Sequence, residues 1–391
     1  MSIRKRTWTT AKGEEKTSWV VDYVDGAGVR RLKTFRLKKE ADAFAATAHV
    51  EVREGVHVAE SASATVKVAG SLWITGCEAT GLERSTLGQY RQHLDLHIVP
   101  FIGSTLLAKL NVPAVRAFED KLKDEGRSAV MVRKVIGSLG SLIADAQERG
   151  LVARNIVRDL RGRRKPGKER KAERRQKGKL KAGIDIPLPT EIKAIVGAVQ
   201  GRWRPLLLTA IFAGLRASEI RGLRWDDVDL DGAKIHVRQR ADRFNDIGRP
   251  KSEAGERTVP VPPLVANTLR EWKLACPKGT LGLVFPNGAG NVESLGNIIN
   301  RGLCPPQIAA GIVDPADASR ARYTGMHSLR HFYASWCINR RADGGLELPA
   351  KVVQERLGHS SIVMTMDTYG HLFPSGDDAA ELASAERALL G

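Results

Sequence analysis

Six residues in the second half of the chain could act together on one bond. Arg216 sits in AGLRASE, Lys251 in RPKSEAGERTVP, His327 and Arg330 in HSLRH, His359 in LGH, and Tyr369 in MTMDTYGHL. Each is ordinary alone; together they can attack a phosphodiester with a phenol. A phenol is a weak nucleophile near neutral pH because its pKa is about 10. It needs a proton acceptor and a field that stabilises charge building on the phosphate. Two arginines can grip the non-bridging oxygens with forked donors, and histidines can donate a further bond or move a proton. A lysine can protonate the departing 5′-oxygen. No acidic cluster able to hold magnesium accompanies them, which points away from two-metal nuclease chemistry.

The order A-G-L-R-x-S-E, H-x-L-R-H, L-G-H-S-S and then a tyrosine resembles the tyrosine recombinase (phage integrase) family, over roughly Pro187 to Pro374. The resemblance implies that Arg216 and Arg330 clamp the scissile phosphate, Lys251 is the general acid and Tyr369 is the nucleophile. It implies that His327 accepts the tyrosine proton or donates to the phosphate, and that His359 donates to a non-bridging oxygen. The gap from His359 to Tyr369 is one residue longer than is common in the family. Lys251 fits K-S/T-x-x-x-x-R-x-V-P, with Arg249 and Arg257 as neighbouring cations that a looser alignment could use instead.

Two residues are expected to support this set without touching the phosphate. Glu219, one helical turn after Arg216, should hold that arginine or its loop, since a carboxylate on the phosphate would repel it. His331 should pack beside His327 and Arg330. The pair His327/His331 also has zinc-helix spacing, but HSLRH lacks the glutamate of H-E-x-x-H and Arg330 would repel a cation. No metal and no cofactor are therefore expected.

The elements that must position these residues follow from pattern. SWVVDYV alternates as a strand, DGAG turns, VRRLKTFRL is a second strand, and KKEADAFAATAHVEVREG is an amphipathic helix. Residues 1–60 thus predict a basic sheet-and-helix module. Arg30, Arg31, Lys33 and Arg36 are its candidate DNA contacts, at accessory "arm" sites by the resemblance. Residues 64–160 predict a helical core-binding domain, with Arg84 and Arg91 towards DNA and His93, Arg127 and Arg133 among its further cations. Trp73, Tyr90 and Phe101 read as core there, by their helical spacing. Residues 161–186 are dense in cations and cannot bury a core, so they predict a linker, with Arg163 and Arg164 in a strap along DNA. Residues 187–391 predict the catalytic domain, Thr190 capping its first helix. The tail DDAAELASAERALL carries a weak apolar stripe that could dock in its own protomer or a neighbour. The expected fold class is mainly α with small β-sheets, an α+β multidomain protein.

Composition sets the partner. The chain has 391 residues, 42% hydrophobic and 27% charged, with a formal net charge of +18. Such an excess favours a polyanion, and no long basic amphipathic helix suggests a membrane surface. Cys77, Cys276, Cys304 and Cys337 form no CxxC pair, so neither a zinc ribbon nor a disulfide framework is expected. The basic N-terminus lacks an apolar signal region. A cytoplasmic protein at the bacterial nucleoid is expected.

The resemblance implies a site-specific recombinase that integrates or excises a phage or mobile element through a 3′-phosphotyrosine. It implies double-stranded DNA with core and arm sites as partner, a homotetramer on DNA, and accessory host bending and excision factors. A chromosome or plasmid resolvase, a type IB topoisomerase-like enzyme and a catalytically inactive DNA-binding regulator are the alternatives. The last is disfavoured because every catalytic residue type is present.

Overall fold

The structure, a computed structural model, describes residues 1–11, 13–26, 28–55, 57–59, 63–162, 179–374 and 379–390. Arg163, Arg164 and most of the basic linker lie outside the described residues. The chain divides into two compact units, Met1–Gly167 and Lys168–Gly391. Helices dominate both, and the sheets are small.

The first unit opens with three antiparallel strands in the order β1 (Ser2–Thr9), β2 (Glu15–Val24), β3 (Arg30–Phe35). The sequence predicts only two. SIRKRTWT carries cations on both faces, so apolar alternation cannot announce β1. It forms because its backbone pairs with β2 from Ser2 opposite Asp22 to Thr9 opposite Glu15. Helix α1 (Lys38–Arg53) lays Ala41 and Ala45 on the sheet. Val21 and Tyr23 are buried against it, with Trp19, Phe35 and Phe44 at the margin. Side chains alternate along strands, so Arg4, Arg6 and Arg30 stand on the face away from α1.

The rest of this unit is helical: α2 (Val66–Ala79), α3 (Arg84–His93), α4 (Val112–Asp124), α5 (Ala129–Glu148) and α6 (Ile156–Gly162). Thr65, Asn111 and Ser128 cap α2, α4 and α5 by accepting from Val68, Ala114 and Met131 backbone N–H groups. After α3 the chain continues as a wide turn over Leu94–Ile98 and a short one over Val99–Ile102, ending at Gly103. Trp73 is buried against Tyr90, their ring centroids 4.6 Å apart, and Phe101 packs on the same core.

The second unit begins with α7 (Pro189–Ala198), α8 (Trp203–Ala213) and α9 (Ala217–Gly222). The expected Thr190 cap is corrected: Pro189 already occupies the first turn, and Glu191 closes the end by accepting from Leu188 N–H at 2.7 Å. Helix α8 is buried almost all round, as LLLTAIFA dictates. It stops at Gly214, whose φ of +60° is left-handed; a Cβ there would lie 2.1 Å from the Tyr333 ring. A small sheet follows, with β4 (Val228–Asp229), β5 (Lys234–Val237) and β8 (Arg257–Pro260) in the order 4-5-8. Between β5 and β8 lies the hairpin β6 (Arg240–Ala241), β7 (Ile247–Gly248).

Then come α10 (Pro263–Ala275), α11 (Cys304–Ala309) and the ladder β9 (Val313–Asp314), β10 (Asp317–Ala321). The last helices are α12 (His327–Ile338), α13 (Ala350–Leu357), α14 (Ile362–Tyr369) and α15 (Ala379–Leu390). Leu207, Ile211, Val259, Leu329, Val353 and Leu357 are wholly buried, so the helices and β8 share one core. Among the described residues, no helix is long and apolar enough to cross a membrane.

Candidate active site

The second unit gathers its candidates around the ends of α8, α12, α13 and α14. Gly214 turns the chain out of α8 so that Arg216 opens α9. Glu219, 2% exposed, then reaches back one turn. It accepts from the Arg216 backbone N–H at 2.8 Å and from its guanidinium at 2.6 Å. A further Arg216 nitrogen donates to the Gly358 carbonyl at 3.0 Å. The fork is thus fixed by a carboxylate on one side and the LGH turn on the other.

Sequence reasoning treated Arg257, at the start of β8, only as a substitute for Lys251. It grips the other side of Glu219 at 2.9 and 3.2 Å, and donates to the Arg356 carbonyl at 2.7 Å. Burial alone would raise the Glu219 carboxyl, but Arg257, Arg216 and Arg330 together hold it below the usual range. The R-x-V-P word marks Arg257, yet nothing linear says that its partner lies on α9.

Arg330, 2% exposed, comes from the first turn of α12. It donates to the Gly214 carbonyl at 2.6 Å and also to the Leu357 carbonyl. Burial, and then the charge of Arg216, pull its guanidinium down to about 9, so it stays cationic at neutral pH. Two main-chain oxygens therefore hold a buried cation in a position fixed by the ends of α8 and α13.

Gly358 is left-handed, with φ +63°, and ends α13 so that His359 turns inward. His359 is buried, with Nδ1 3.0 Å from the Thr365 hydroxyl, and its backbone carbonyl accepts from Gln354 at 2.9 Å. Its ring stacks on Tyr369 with a 3° interplanar angle and centroids 6.3 Å apart. The long gap between these two residues is absorbed by helix: Ser361 caps α14, and Tyr369 is its last residue.

Tyr369 is 1% exposed. Burial pushes its phenol up to about 12, against the pull of Arg330 and Arg216. The ring that touches its hydroxyl is His331, expected only as a supporting residue: Nδ1 stands 2.7 Å from Oη. His327 lies beside His331, centroids 4.5 Å apart, and no hydrogen bond from it to Tyr369 appears in the structure. Burial, then His327 and Arg330, lower His331 to about 4. Burial, then Arg330, Arg216 and Arg257, lower His359 to about 4 as well. Loss of solvation, then Arg330 and Arg216, lower His327, although that residue stays exposed at the start of α12.

Lys251 is exposed in the turn between β7 and β8, and Gly255 of that turn accepts from Arg257 at 2.9 Å. The turn is therefore tied to the cluster through Arg257. Among the described residues, no group of three or more His, Cys, Asp or Glu could hold a metal ion.

The candidate DNA contacts of the first unit divide. Arg30 pairs with Asp22 at 2.5 Å on the face away from α1, and Arg36 is exposed in the bend after β3. Arg31 pairs with Asp25 at 2.7 Å, and Lys33 lies 4.6 Å from the Phe44 centroid, so these two serve the α1 side. Sequence reasoning missed Arg4 and Arg6 because it missed β1. In the helical part, Arg84 is exposed and Arg91, also exposed, pairs with Glu78. His93, counted among the further cations, is buried 2.8 Å from the Ser138 hydroxyl, and burial holds its imidazole below the ordinary value.

Residues 188–375 match the Phage integrase family. A tyrosine recombinase XerC-like protein of Caldanaerobacter subterraneus is 24% identical over 380 residues, 90% of each chain. The ICEBs1 integrase of Bacillus subtilis is 22% identical over 383 residues, 96% of each chain. Among solved structures, the Tn1549 transposon integrase in complex with a circular intermediate DNA shares the fold with a TM-score of 0.61. It is 18% identical, and the match covers 83% of this chain and all of that one. A lambda integrase tetramer bound to a Holliday junction matches with a TM-score of 0.52 at 16% identity, over 91% of this chain and 95% of that one. Residues 188–375 thus form a domain of the phage integrase family of tyrosine recombinases, enzymes of site-specific DNA recombination.

Proposed function

We propose that this recombinase cuts and rejoins DNA through Tyr369, without a metal, to integrate or excise a mobile element. The observation that supports this most is the closure of Arg216, Arg330, His359 and His331 around one buried phenol. Tyr369 attacks the phosphate and displaces the 5′-hydroxyl, leaving a 3′-phosphotyrosine. Arg216 and Arg330 stabilise the pentavalent charge, with His359 as a third donor. Each is worth about 2.7–4 kcal/mol, by analogy with the loss of one oxyanion-hole donor. Lys251 protonates the 5′-oxygen from its exposed turn. A partner strand's 5′-hydroxyl then reverses the step, so bond energy is conserved and no nucleotide is consumed.

The basic open face of the first sheet supports binding at arm sites, and the helical domain supports contact with the crossover site. Ile362, Val363, Met364 and Met366 are exposed on α14, and Leu382, Leu389 and Leu390 on α15. Those faces support assembly of a tetramer on two DNA sites, with the tail docked in a neighbour. A cytoplasmic place of action at the nucleoid, and host bending and excision factors, belong to the same reading. The domain limits we propose are 1–60, 64–160, 161–186 and 187–391.

The XerC names among the relatives favour a chromosome or plasmid resolvase as a second reading. The match to the ICEBs1 integrase, extending over 96% of this chain, favours an element integrase instead. The test is covalent-adduct formation on a nicked suicide duplex. Tyr369→Phe is expected to bind DNA and form no adduct; an adduct with this variant would remove Tyr369 from its role. Wild-type adduct formation is expected to survive EDTA, and loss that magnesium restores would bring back a metal mechanism.

A further inference from the structure

We propose that His331, and not His327, takes the Tyr369 proton during attack and returns it when the strand is resealed. The proposal rests on the recombinase reading above and assigns its proton acceptor. A general base must stand within about 2.6–3.2 Å of the atom it deprotonates. His331 Nδ1 is 2.7 Å from Tyr369 Oη, with the rings edge to face at 5.7 Å between centroids. His327 is one turn earlier on α12 and exposed at its N-terminal end, where it can donate to a bound phosphate.

The groups facing His331 are His327 and Arg330 on its own helix, Tyr369 from α14 and the charge of Asp185. Asp185 belongs to the turn at the end of the linker, where its carboxylate accepts from Lys181 N–H at 2.9 Å. Burial and the neighbouring cations keep His331 neutral at physiological pH. With its proton on Nε2, the Nδ1 lone pair is available to the phenol. An arriving phosphate sets negative charge against those cations, which raises the affinity of His331 for the proton when attack requires it.

The transfers balance. As the Oη–P bond forms and the P–O5′ bond breaks, the phenolic proton passes to His331 Nδ1. A separate proton passes from the Lys251 ammonium to O5′. Resealing runs both backwards: O5′ attacks, its proton returns to the lysine, and His331 reprotonates the departing phenolate.

The experiment uses the full chain in single-turnover adduct formation on a nicked duplex carrying the crossover sequence read from the element's own junctions. His331→Gln and His331→Asn are expected to slow adduct formation by about 10²-fold near neutral pH. That deficit should shrink as pH rises towards the ionisation of the phenol, and the His327→Gln deficit should not. A 5′-bridging phosphorothiolate, whose sulfur leaves without a proton, should restore Lys251→Ala and leave the His331 variants slow. Wild-type rates in the His331 variants, or a deficit unmoved by pH, overturn the assignment. In wild-type protein labelled with 15N-histidine, His331 Nδ1 must be unprotonated near neutral pH; a protonated Nδ1 overturns it without any variant. Wild-type protein that forms no adduct brings down the recombinase reading, and this assignment with it.

Discussion

Glu219 is one buried carboxylate between two guanidiniums, and its charge keeps Arg216 and Arg257 side by side. Glu219→Gln keeps the shape and removes the charge, leaving Arg257 buried beside Arg216 and Arg330 without compensation. A loss of about 3–5 kcal/mol in chemical denaturation is expected, as for breaking a buried pair. The histidines give a pH signature. His331 and His359 sit at about 4 in the fold against an ordinary 6.5, so the unfolded chain binds more protons between those values. Their contribution to stability is complete above about pH 6.5 and is lost as pH falls towards 4. Thermal melting across that window should show the fall, and His331→Gln should show a shallower one. The Tyr369 phenol, raised from 10 to about 12, acts oppositely, so stability should fall again as pH climbs through that range. Tyr369, Arg216 and Arg330 are legible in sequence because each sits in a local word. The partnership of Arg257 with Glu219, and of His331 with Tyr369, is made where α13 packs on β8, α12 and α14, which no local word records.

At the scale of elements, two left-handed glycines aim the site. Gly214 ends α8 and Gly358 ends α13, and the carbonyls of Gly214 and Leu357 receive Arg330 while that of Gly358 receives Arg216. Gly214→Ala meets a strained φ, costing about 1–3 kcal/mol, and in addition drives a Cβ into the Tyr333 ring. The expected result is a drop in melting temperature with a larger proportional drop in adduct formation, because the displaced carbonyl is a ligand of Arg330. Helices with an apolar stripe and a cap or proline are readable beforehand, and α1 falls within the expected KKEADAFAATAHVEVREG. Strand β1 is not, because a strand with cations on both faces takes its identity from the partner it pairs with. The α7 cap was misplaced for a related reason: a proline and a back-reaching glutamate set the boundary, where threonine alone suggested another.

For the whole molecule, the excess charge of +18 must be assigned to surfaces before it explains anything. Many cations are spent internally: Arg330 and Arg257 hold the site, and Arg221 is buried with bonds to the Glu293 and Asp242 carbonyls at 2.7 and 2.8 Å. Arg4, Arg6 and Arg30 stand exposed on the face of the first sheet away from α1, Arg30 beside the Asp22 carboxylate. If that face binds arm DNA, a triple Arg→Ala change should weaken binding to arm-containing duplexes and leave binding to an isolated crossover site alone. Each lost phosphate contact lowers the slope of log affinity against log salt by about 0.9. Adduct formation on the crossover site should survive both this change and deletion of residues 1–60, while recombination between complete sites falls. Unchanged recombination in both variants would take the sheet out of DNA recognition. A loss of crossover cleavage would show instead that the sheet acts on the catalytic step, because it would link Arg4, Arg6 and Arg30 to a reaction in which they have no chemical part.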